Sequence, residues 1–388
     1  MKTSVCLRLA LLSLLAPLVL AAADYFPPRG EWARLPPAEA GMDAAALQAA
    51  IDFSRTREAT TPRDLAAYLR EAYAMEPGYR ILGPTRPRGD LTGLVVRRGR
   101  VVAVWGEPDR SDMTFSVAKT FLSTVTGLAW DRGLIRRLDD RVAGYLPEPD
   151  LFADPHNAPI TWDHLLRQTS DWSGTLWEVP DWADRPVGAT PADYPDRPRH
   201  APGAFFKYND VRVNLLALAV LHVWREPLPA ILRREVMDPI GASNTWRWTG
   251  YENSWVLLDG ERVQSVSGGG HFGGGLFINA WDLARFGYLF LRHGQWDGRR
   301  LISTGWIEQA RTPGPANPGY GFMNWYLNPG GQTRPGTPES SVMFVGAGRN
   351  IVYVDWENDL VVVIRWIKDD ASLHEFLARV VAAVRPAG

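Results

Sequence analysis

The chain has 388 residues, 46% of them hydrophobic and 22% charged, with a formal net charge of −1 at pH 7. This composition is ordinary for a soluble globular protein, and the length suits one large mixed α/β domain. The chain has no basic run and no positive excess, so neither nucleic acid nor an anionic membrane surface is expected as a partner.

The first 23 residues have the pattern of a secretory signal peptide. A positively charged start precedes an apolar run over residues 9–20, and three alanines before Asp24 offer a cleavage site. The run is too short for a comfortable membrane span. We therefore expect cleavage, no stable membrane insertion, and a periplasmic or secreted domain over residues 24–388, with an uncleaved anchor as the alternative. Cys6, the one cysteine, lies inside this segment, so the mature protein would lack disulfides and thiolate metal sites.

Capping residues and apolar periodicity predict the elements that follow. A helix over residues 43–51 begins at Asp43, and alternation over residues 91–105 predicts a β-hairpin that turns at Gly99. Thr114 then caps a long apolar helix that ends near residue 128.

The middle of the chain, about residues 139–248, is predicted to be mostly helical. Its clearest helices cover 208–224 and 228–237, and residues 181–202, rich in Pro, Asp and Arg, are predicted to form a surface excursion. The remaining predicted elements are helices over 280–293, around Trp306 and over 372–384, and strands over 342–345, 350–354 and 360–367.

Strands therefore occur at both ends of the chain and helices in the middle. The simplest packing is an α+β fold in which both ends form one antiparallel sheet flanked by helices, beside a mostly helical lobe. A cleft between two such lobes is a common place for a ligand site.

Lysine is rare in this chain, since only four of the 42 basic residues are lysine. Arginine serves wherever a generic cation is needed, so Lys119 is expected to do what a guanidinium cannot, which is to lose its proton.

Lys119 follows Ser116 by three residues in Ser116-Val117-Ala118-Lys119. At this helical spacing the two side chains are neighbours. Ser116 would lie in the first helical turn, where free N–H groups favour negative charge. A serine hydroxyl needs a base to become nucleophilic, and a neutral buried lysine can be that base. The apolar flanking residues predict that Lys119 is buried.

Tyr208 opens a predicted helix in Lys207-Tyr208-Asn209-Asp210. A phenol can carry a proton to a leaving group if neighbouring cations, such as Lys207 and Lys119, depress its pKa. The alternative is a tyrosine that only packs its ring at a helix start.

Taken in chain order, these residues resemble the class C β-lactamase and penicillin-binding family, which includes esterases and 6-aminohexanoate-dimer hydrolases. Ser116-x-x-Lys119 precedes Tyr208, and a glycine-rich strand lies near the C-terminus. Other similar segments are 160–170, 273–276, 281–286 and 353–355. The resemblance covers most of the chain from about residue 91 to the end and implies a β-lactamase/transpeptidase-like fold.

The resemblance implies that Ser116 is the nucleophile, Lys119 its base and Tyr208 a proton relay, with no cofactor and no metal. The chain departs from the family at two places. Asp210 stands where the family has an asparagine, which removes an amide donor and adds charge. Gly346-Ala347-Gly348 replaces Lys-Thr-Gly, so the lysine that would hold a substrate carboxylate is missing, and Arg349 is a candidate substitute.

Several further residues are candidates for the site. An N–H of Gly348 or Arg349 is expected to complete an oxyanion hole with that of Ser116, the Gly346 strand allowing close approach of substrate. His271, between glycine runs, is expected to line the cleft, and Trp177 either lines the pocket or only packs. The Gly268-x-Gly270-x-x-Gly273 pattern lacks a βαβ context, and the histidines show no metal-ligand spacing.

The expected function is therefore a secreted serine hydrolase that cleaves ester or amide bonds of a small-molecule substrate through an acyl-enzyme. The alternatives are a β-lactamase or D-alanyl-D-alanine carboxypeptidase, and a non-catalytic envelope ligand-binding protein on the same fold. The sequence leaves the physiological substrate and the oligomeric state open.

Overall fold

The computed structural model describes residues 24–147 and 149–385, so the expected signal peptide lies outside the described residues. The helices are α1 (Ala44–Arg55), α2 (Leu65–Ala72), α3 (Ala118–Asp131), α4 (Trp162–Leu166), α5 (Asp210–Trp224), α6 (Leu228–Leu232), α7 (Ala280–Leu291), α8 (Thr304–Ala310) and α9 (Asp370–Ala382). The strands are β1 (Thr92–Arg97), β2 (Arg100–Trp105), β3 (Asp112–Met113), β4 (Thr175–Leu176), β5 (Val179–Pro180), β6 (Arg247–Leu258), β7 (Glu261–Val266), β8 (Gly275–Ile278), β9 (Gln295–Trp296), β10 (Arg299–Arg300), β11 (Val342–Gly346), β12 (Asn350–Asp355) and β13 (Leu360–Arg365).

The main sheet joins the two ends of the chain in the order β11-β12-β13-β1-β2, with every pair antiparallel. Strands β1, β12 and β13 are buried throughout. Such unbroken burial requires cover on both faces: side chains of α1 and α9 join the core on one side, and α7 packs on the other. The predicted fold class, an antiparallel sheet from both chain ends flanked by helices, is confirmed.

A second sheet, ordered β3-β8-β6-β7, was not predicted from the sequence. Its long hairpin turns at Asp259-Gly260, where both residues have positive φ. Asp-Gly is a strong signal for such a turn, so the sequence did contain the information. The irregular register of β6 against β7 disrupts the alternation that would have revealed the strands.

The helical lobe is built around α5, which buries 13 of its 15 residues. The predicted helix over 228–237 is split into α6 and a π-helical turn, Arg233–Met237. Among the described residues no single helix is long and apolar enough to cross a membrane; only the bent pair Asp210–Trp224 and Leu228–Met237, 73° apart, meets the length and composition required.

The 181–202 segment is not wholly a surface excursion, as its composition had suggested. Its first residues turn inward, and Asp181, Ala183 and Asp184 are buried. Arg197 also lies inside, where it pairs with Asp171 and Asp181. The charged residues are internal because they neutralise one another.

Gly127, in the middle of α3, tests the packing that holds this helix. An alanine in a helix interior is normally favoured over glycine by about 1 kcal/mol. Here a Cβ would lie 2.4 Å from the indole of Trp306, which is 1% exposed. We therefore expect Gly127→Ala to lower the free energy of unfolding by about 1–3 kcal/mol.

The matched control is Gly144→Ala, because a Cβ at Gly144 has no neighbour within 4 Å. Denaturant unfolding of both variants measures the difference. If Gly127→Ala proves as stable as Gly144→Ala, the close packing of α3 against Trp306 is wrong.

Candidate active site

Ser116 lies in a 3-10 turn, Phe115–Val117, that leads from β3 into α3. The predicted cap by Thr114 is wrong, because its side chain makes no capping hydrogen bond. Phe115 instead has a left-handed backbone with φ 49°, and its ring packs edge-on against Tyr68 and Trp366. This bend places the partly exposed Ser116 where the first N–H groups of a helix have no partner within it.

Lys119 is buried beneath Ser116, as the flanking residues predicted. Its Nζ lies 2.8 Å from Ser116 Oγ and 2.6 Å from Asp210 Oδ1. The side chain of Lys119 is 0% exposed and that of Asp210 is 1% exposed. The amine therefore sits between the hydroxyl and a carboxylate, out of contact with bulk water.

The charge state of Lys119 depends on opposing influences. Burial lowers the pKa of Lys119 below its usual value; Asp210 opposes this lowering and Arg185 adds to it. Burial alone would raise the pKa of Asp210, but Lys119 and Arg185 outweigh it and hold that pKa below its usual range. Asp210 thus stays ionised while Lys119 is poised to give up its proton.

Arg185 is a part of the site that the sequence analysis missed. Its Nη1 donates to Asp210 Oδ2 at 2.9 Å and also to Asp184. The side chain is 33% exposed. No motif marks Arg185, since it belongs to the segment expected at the surface; only the excess of acidic residues around it gave an indirect signal.

Tyr208 lies just before α5, whose cap is Asn209. Lys119 Nζ is 4.6 Å and Arg185 Cζ 5.1 Å from the centroid of the Tyr208 ring. Burial raises the pKa of Tyr208 well above its usual value, and a hydrogen bond with Ser116 acts in the opposite direction. The expected depression of this pKa is therefore wrong, because the cations face the ring and do not outweigh its burial.

Tyr326 is the second residue that the sequence analysis missed. It makes a side-chain hydrogen bond with Tyr208, and burial raises the pKa of Tyr326 to about 12. Both phenols, at Tyr208 and Tyr326, therefore keep their protons at neutral pH.

The last strands approach Ser116 at Gly346. A Cβ on Gly346 would lie 2.1 Å from the Thr114 carbonyl and 3.3 Å from Ser116 N, so only glycine allows β11 to pass here. Gly348 has φ 71° in the turn that follows, and a Cβ there would meet the Trp366 ring at 2.2 Å. Arg349 pairs with Asp370 at 3.0 Å.

Gly269 packs against the ion pair itself. A Cβ at this position would lie 1.7 Å from Asp210 Oδ1 and 2.2 Å from Lys119 Nζ. The glycine run at 268–270 thus encloses the buried charges with main chain, where the sequence analysis had considered only a nucleotide loop.

His271 is buried, with 2% of its surface exposed. Its Nε2 bonds Glu76 at 2.7 Å and lies 3.7 Å from Asp184. This trio is close enough together to reach one metal ion. The hydrogen bonds from His271 and from the Arg185 guanidinium and main chain already occupy these carboxylates and account for the arrangement.

Trp177 lies in the turn between β4 and β5, where its carbonyl accepts a hydrogen bond from Asn253. The structure brings together Ser116, Lys119, Tyr208 and Asp210, hereafter the Ser116 cluster, with Gly346 beside it. Trp177 is partly buried and packs against the main hydrophobic core.

Three solved structures illustrate the likeness of the fold. EstCE1, a hydrolase with promiscuous acyltransferase activity, is 17% identical with a TM-score of 0.55, covering 88% of this chain and 99% of that one. A family VIII carboxylesterase is 16% identical with a TM-score of 0.54, over 81% and 95%. A beta-lactamase/D-alanine carboxypeptidase from Pseudomonas syringae is 17% identical with a TM-score of 0.51, over 83% and 100%.

No curated protein matches the chain. The Beta-lactamase family model matches residues 93–383, a range that contains the Ser116 cluster and the whole of both sheets apart from the first residue of β1. This match confirms the resemblance drawn from the motifs: the chain belongs to the beta-lactamase family.

Proposed function

We propose that this protein is a serine hydrolase that cleaves small ester or amide substrates through an acyl-enzyme on Ser116. The observation that carries the proposal is the 2.8 Å contact between Ser116 Oγ and the buried amine of Lys119. A serine becomes nucleophilic when its hydroxyl is hydrogen-bonded to a base, and a buried amine that can lose its proton is such a base. The expected leader over residues 1–23 supports action in the periplasm or outside the cell.

In the first step Ser116 Oγ attacks the substrate carbonyl carbon while Lys119 takes the hydroxyl proton. The carbonyl oxygen then carries negative charge, and we expect the N–H of Ser116 together with the N–H of Gly348 or Arg349 to stabilise it. The protonated Tyr208 gives its proton to the leaving group, and Lys119 then returns the proton that it took from Ser116 to the Tyr208 phenolate. Water then attacks the acyl-enzyme by the reverse path and restores the serine hydroxyl.

Ser116→Ala is expected to remove ester hydrolysis almost entirely, with a loss on the order of 10⁶-fold in turnover as for deletion of other nucleophiles. Intact mass after incubation with activated esters should show one acyl group on the wild type and none on the variant. Ser123→Ala is the control, because Ser123 is a buried serine on α3, the helix that follows the Ser116 turn. Turnover above a tenth of wild type in Ser116→Ala would refute the mechanism.

Lys119→Arg is expected to be about as inactive as Lys119→Ala, because a guanidinium keeps the charge but does not accept the proton. Lys368→Arg, at an exposed lysine, should leave activity unchanged. Steady-state kinetics on a chromogenic ester compare the three variants. Substantial activity in Lys119→Arg would make Lys119 an electrostatic anchor and not the base.

We expect uncharged short-chain esters or amides to be better substrates than β-lactams. The strand that would carry a carboxylate-binding lysine has Gly346-Ala347-Gly348, and Arg349 is held by Asp370. A lost charge-assisted hydrogen bond is typically worth ~1.5–3 kcal/mol, roughly ten- to over a hundred-fold in binding.

Catalytic efficiency on a chromogenic short-chain ester and on a chromogenic cephalosporin decides between these classes. A tenfold preference for the cephalosporin would overturn the ester–amide assignment in favour of a β-lactamase. Loss of that preference in Arg349→Ala would then identify Arg349 as the substitute cation.

A further inference from the structure

Arg185 reaches the Ser116 cluster because its segment is fastened to the start of α5. Asn209 Nδ2 donates to the Asp181 carbonyl at 2.8 Å, and the main-chain N–H of Asp210 donates to the Asp184 carboxylate. The N–H of Arg185 donates to Glu76 at 3.1 Å. These bonds fix both ends of residues 181–185, so the guanidinium is delivered to a defined place.

Asp210 carries a negative charge, whereas the asparagine at the same place in the family is neutral. This charge makes it harder for the neighbouring Lys119 to act as a base. A carboxylate 2.6 Å from an amine stabilises the protonated amine, which is the form that does not act as a base. Some other group must offset this effect if Lys119 is to accept a proton from Ser116.

We propose that Arg185 is a positioning residue that offsets the charge of Asp210, so that Lys119 serves as the base at neutral pH. Its Nη1 holds Asp210 Oδ2 at 2.9 Å and leaves Oδ1 turned to the lysine. Its positive charge, held on the second oxygen of the same carboxylate, also disfavours a second cation at Lys119. The proposal rests on the proposed function of Ser116 and Lys119.

The other charged groups around Lys119 do not supply this offset. Asp184, like Asp210, favours a protonated Lys119, whereas Arg185 opposes it. The amine also contacts three uncharged groups: the Ser116 hydroxyl, the face of the Tyr208 ring and the main chain of Gly269.

A second layer of titratable groups surrounds Asp210 and Arg185. His271 acts on Asp210 and is itself bonded to Glu76. The phenols of Tyr73 and Tyr208 act on Arg185, in addition to its two carboxylate partners. Burial alone would lower the pKa of Arg185, but Asp184 and Asp210 outweigh it, so the guanidinium stays charged throughout the working pH range.

The test is the pH dependence of kcat/KM for ester hydrolysis by Arg185→Gln and Arg185→Lys. Lys119 acts when neutral, so activity rises as pH increases through its pKa. Loss of Arg185 raises that pKa, and the acid limb of the profile should move to higher pH by about one unit or more. For Arg185→Gln this shift corresponds to roughly tenfold lower kcat/KM on the acid limb, with activity recovered at alkaline pH. Arg185→Lys should show a smaller shift of the limb.

Arg199→Gln is the matched control, because Arg199 belongs to the same 181–202 segment and pairs at the surface with Asp154. It should leave the profile unchanged. Thermal unfolding of each variant shows whether it folds. If Arg185→Gln does not fold, the pH profile of Arg185→Lys still tests the proposal.

Two results would overturn the proposal. If Arg185→Gln lowered kcat/KM by the same factor at every pH, the residue would have only a structural role. If Arg185→Gln raised KM only for anionic esters and left the acid limb of the pH profile in place, Arg185 would be a substrate contact. If the wild-type protein were not acylated on incubation with activated esters, the proposed function itself would be refuted. The mass measurement on the wild type shows this before any Arg185 variant is made.

Discussion

The buried ion pair between Lys119 and Asp210 is the interaction on which the rest of the site depends. Removing two charges from water is costly, and a pair is tolerated only when geometry and further hydrogen bonds compensate for the lost hydration. Here the compensation is supplied by Ser116, which contacts the amine, and by Arg185, which donates to the carboxylate. The fold surrounds the pair with α3, α5 and the 181–185 segment.

Each of these three elements is fixed by a separate part of the molecule. Helix α3 is set by the bend at Phe115 and by packing along its buried face. Helix α5 is buried almost throughout, and its Asn209 cap also holds the 181–185 segment. The main sheet then brings Gly346 against Ser116 from the far end of the chain. The site is therefore a property of the whole fold.

The sequence predicted the parts of this arrangement that depend on local spacing. Ser116 and Lys119 are one helical turn apart, so their contact follows from helix geometry, and the apolar neighbours of Lys119 foretold its burial. The main sheet followed from runs of β-branched residues at both chain ends. The role of Arg185 depends on how a Pro-rich segment without regular structure folds back on α5, and neither periodicity nor composition specifies that path. The hairpin of β6 and β7 was missed because its register is irregular, although its Asp-Gly turn was visible.

The sequence also indicated the wrong electrostatics for Tyr208. Proximity to cations suggested a depressed pKa, whereas the cations lie over the ring and burial raises the pKa instead. The effect of a charge on a phenol depends on its position relative to the oxygen, which is a three-dimensional property.

The missing side chain at Gly269 limits how this centre can change. Because any Cβ there would overlap both members of the ion pair, even alanine is too large while Lys119 and Asp210 occupy their present places. A library that randomises position 269 alone would return glycine among active clones. Larger residues become accessible at position 269 only together with a smaller residue at 119 or 210, so side chains can be added at this position only through paired replacements.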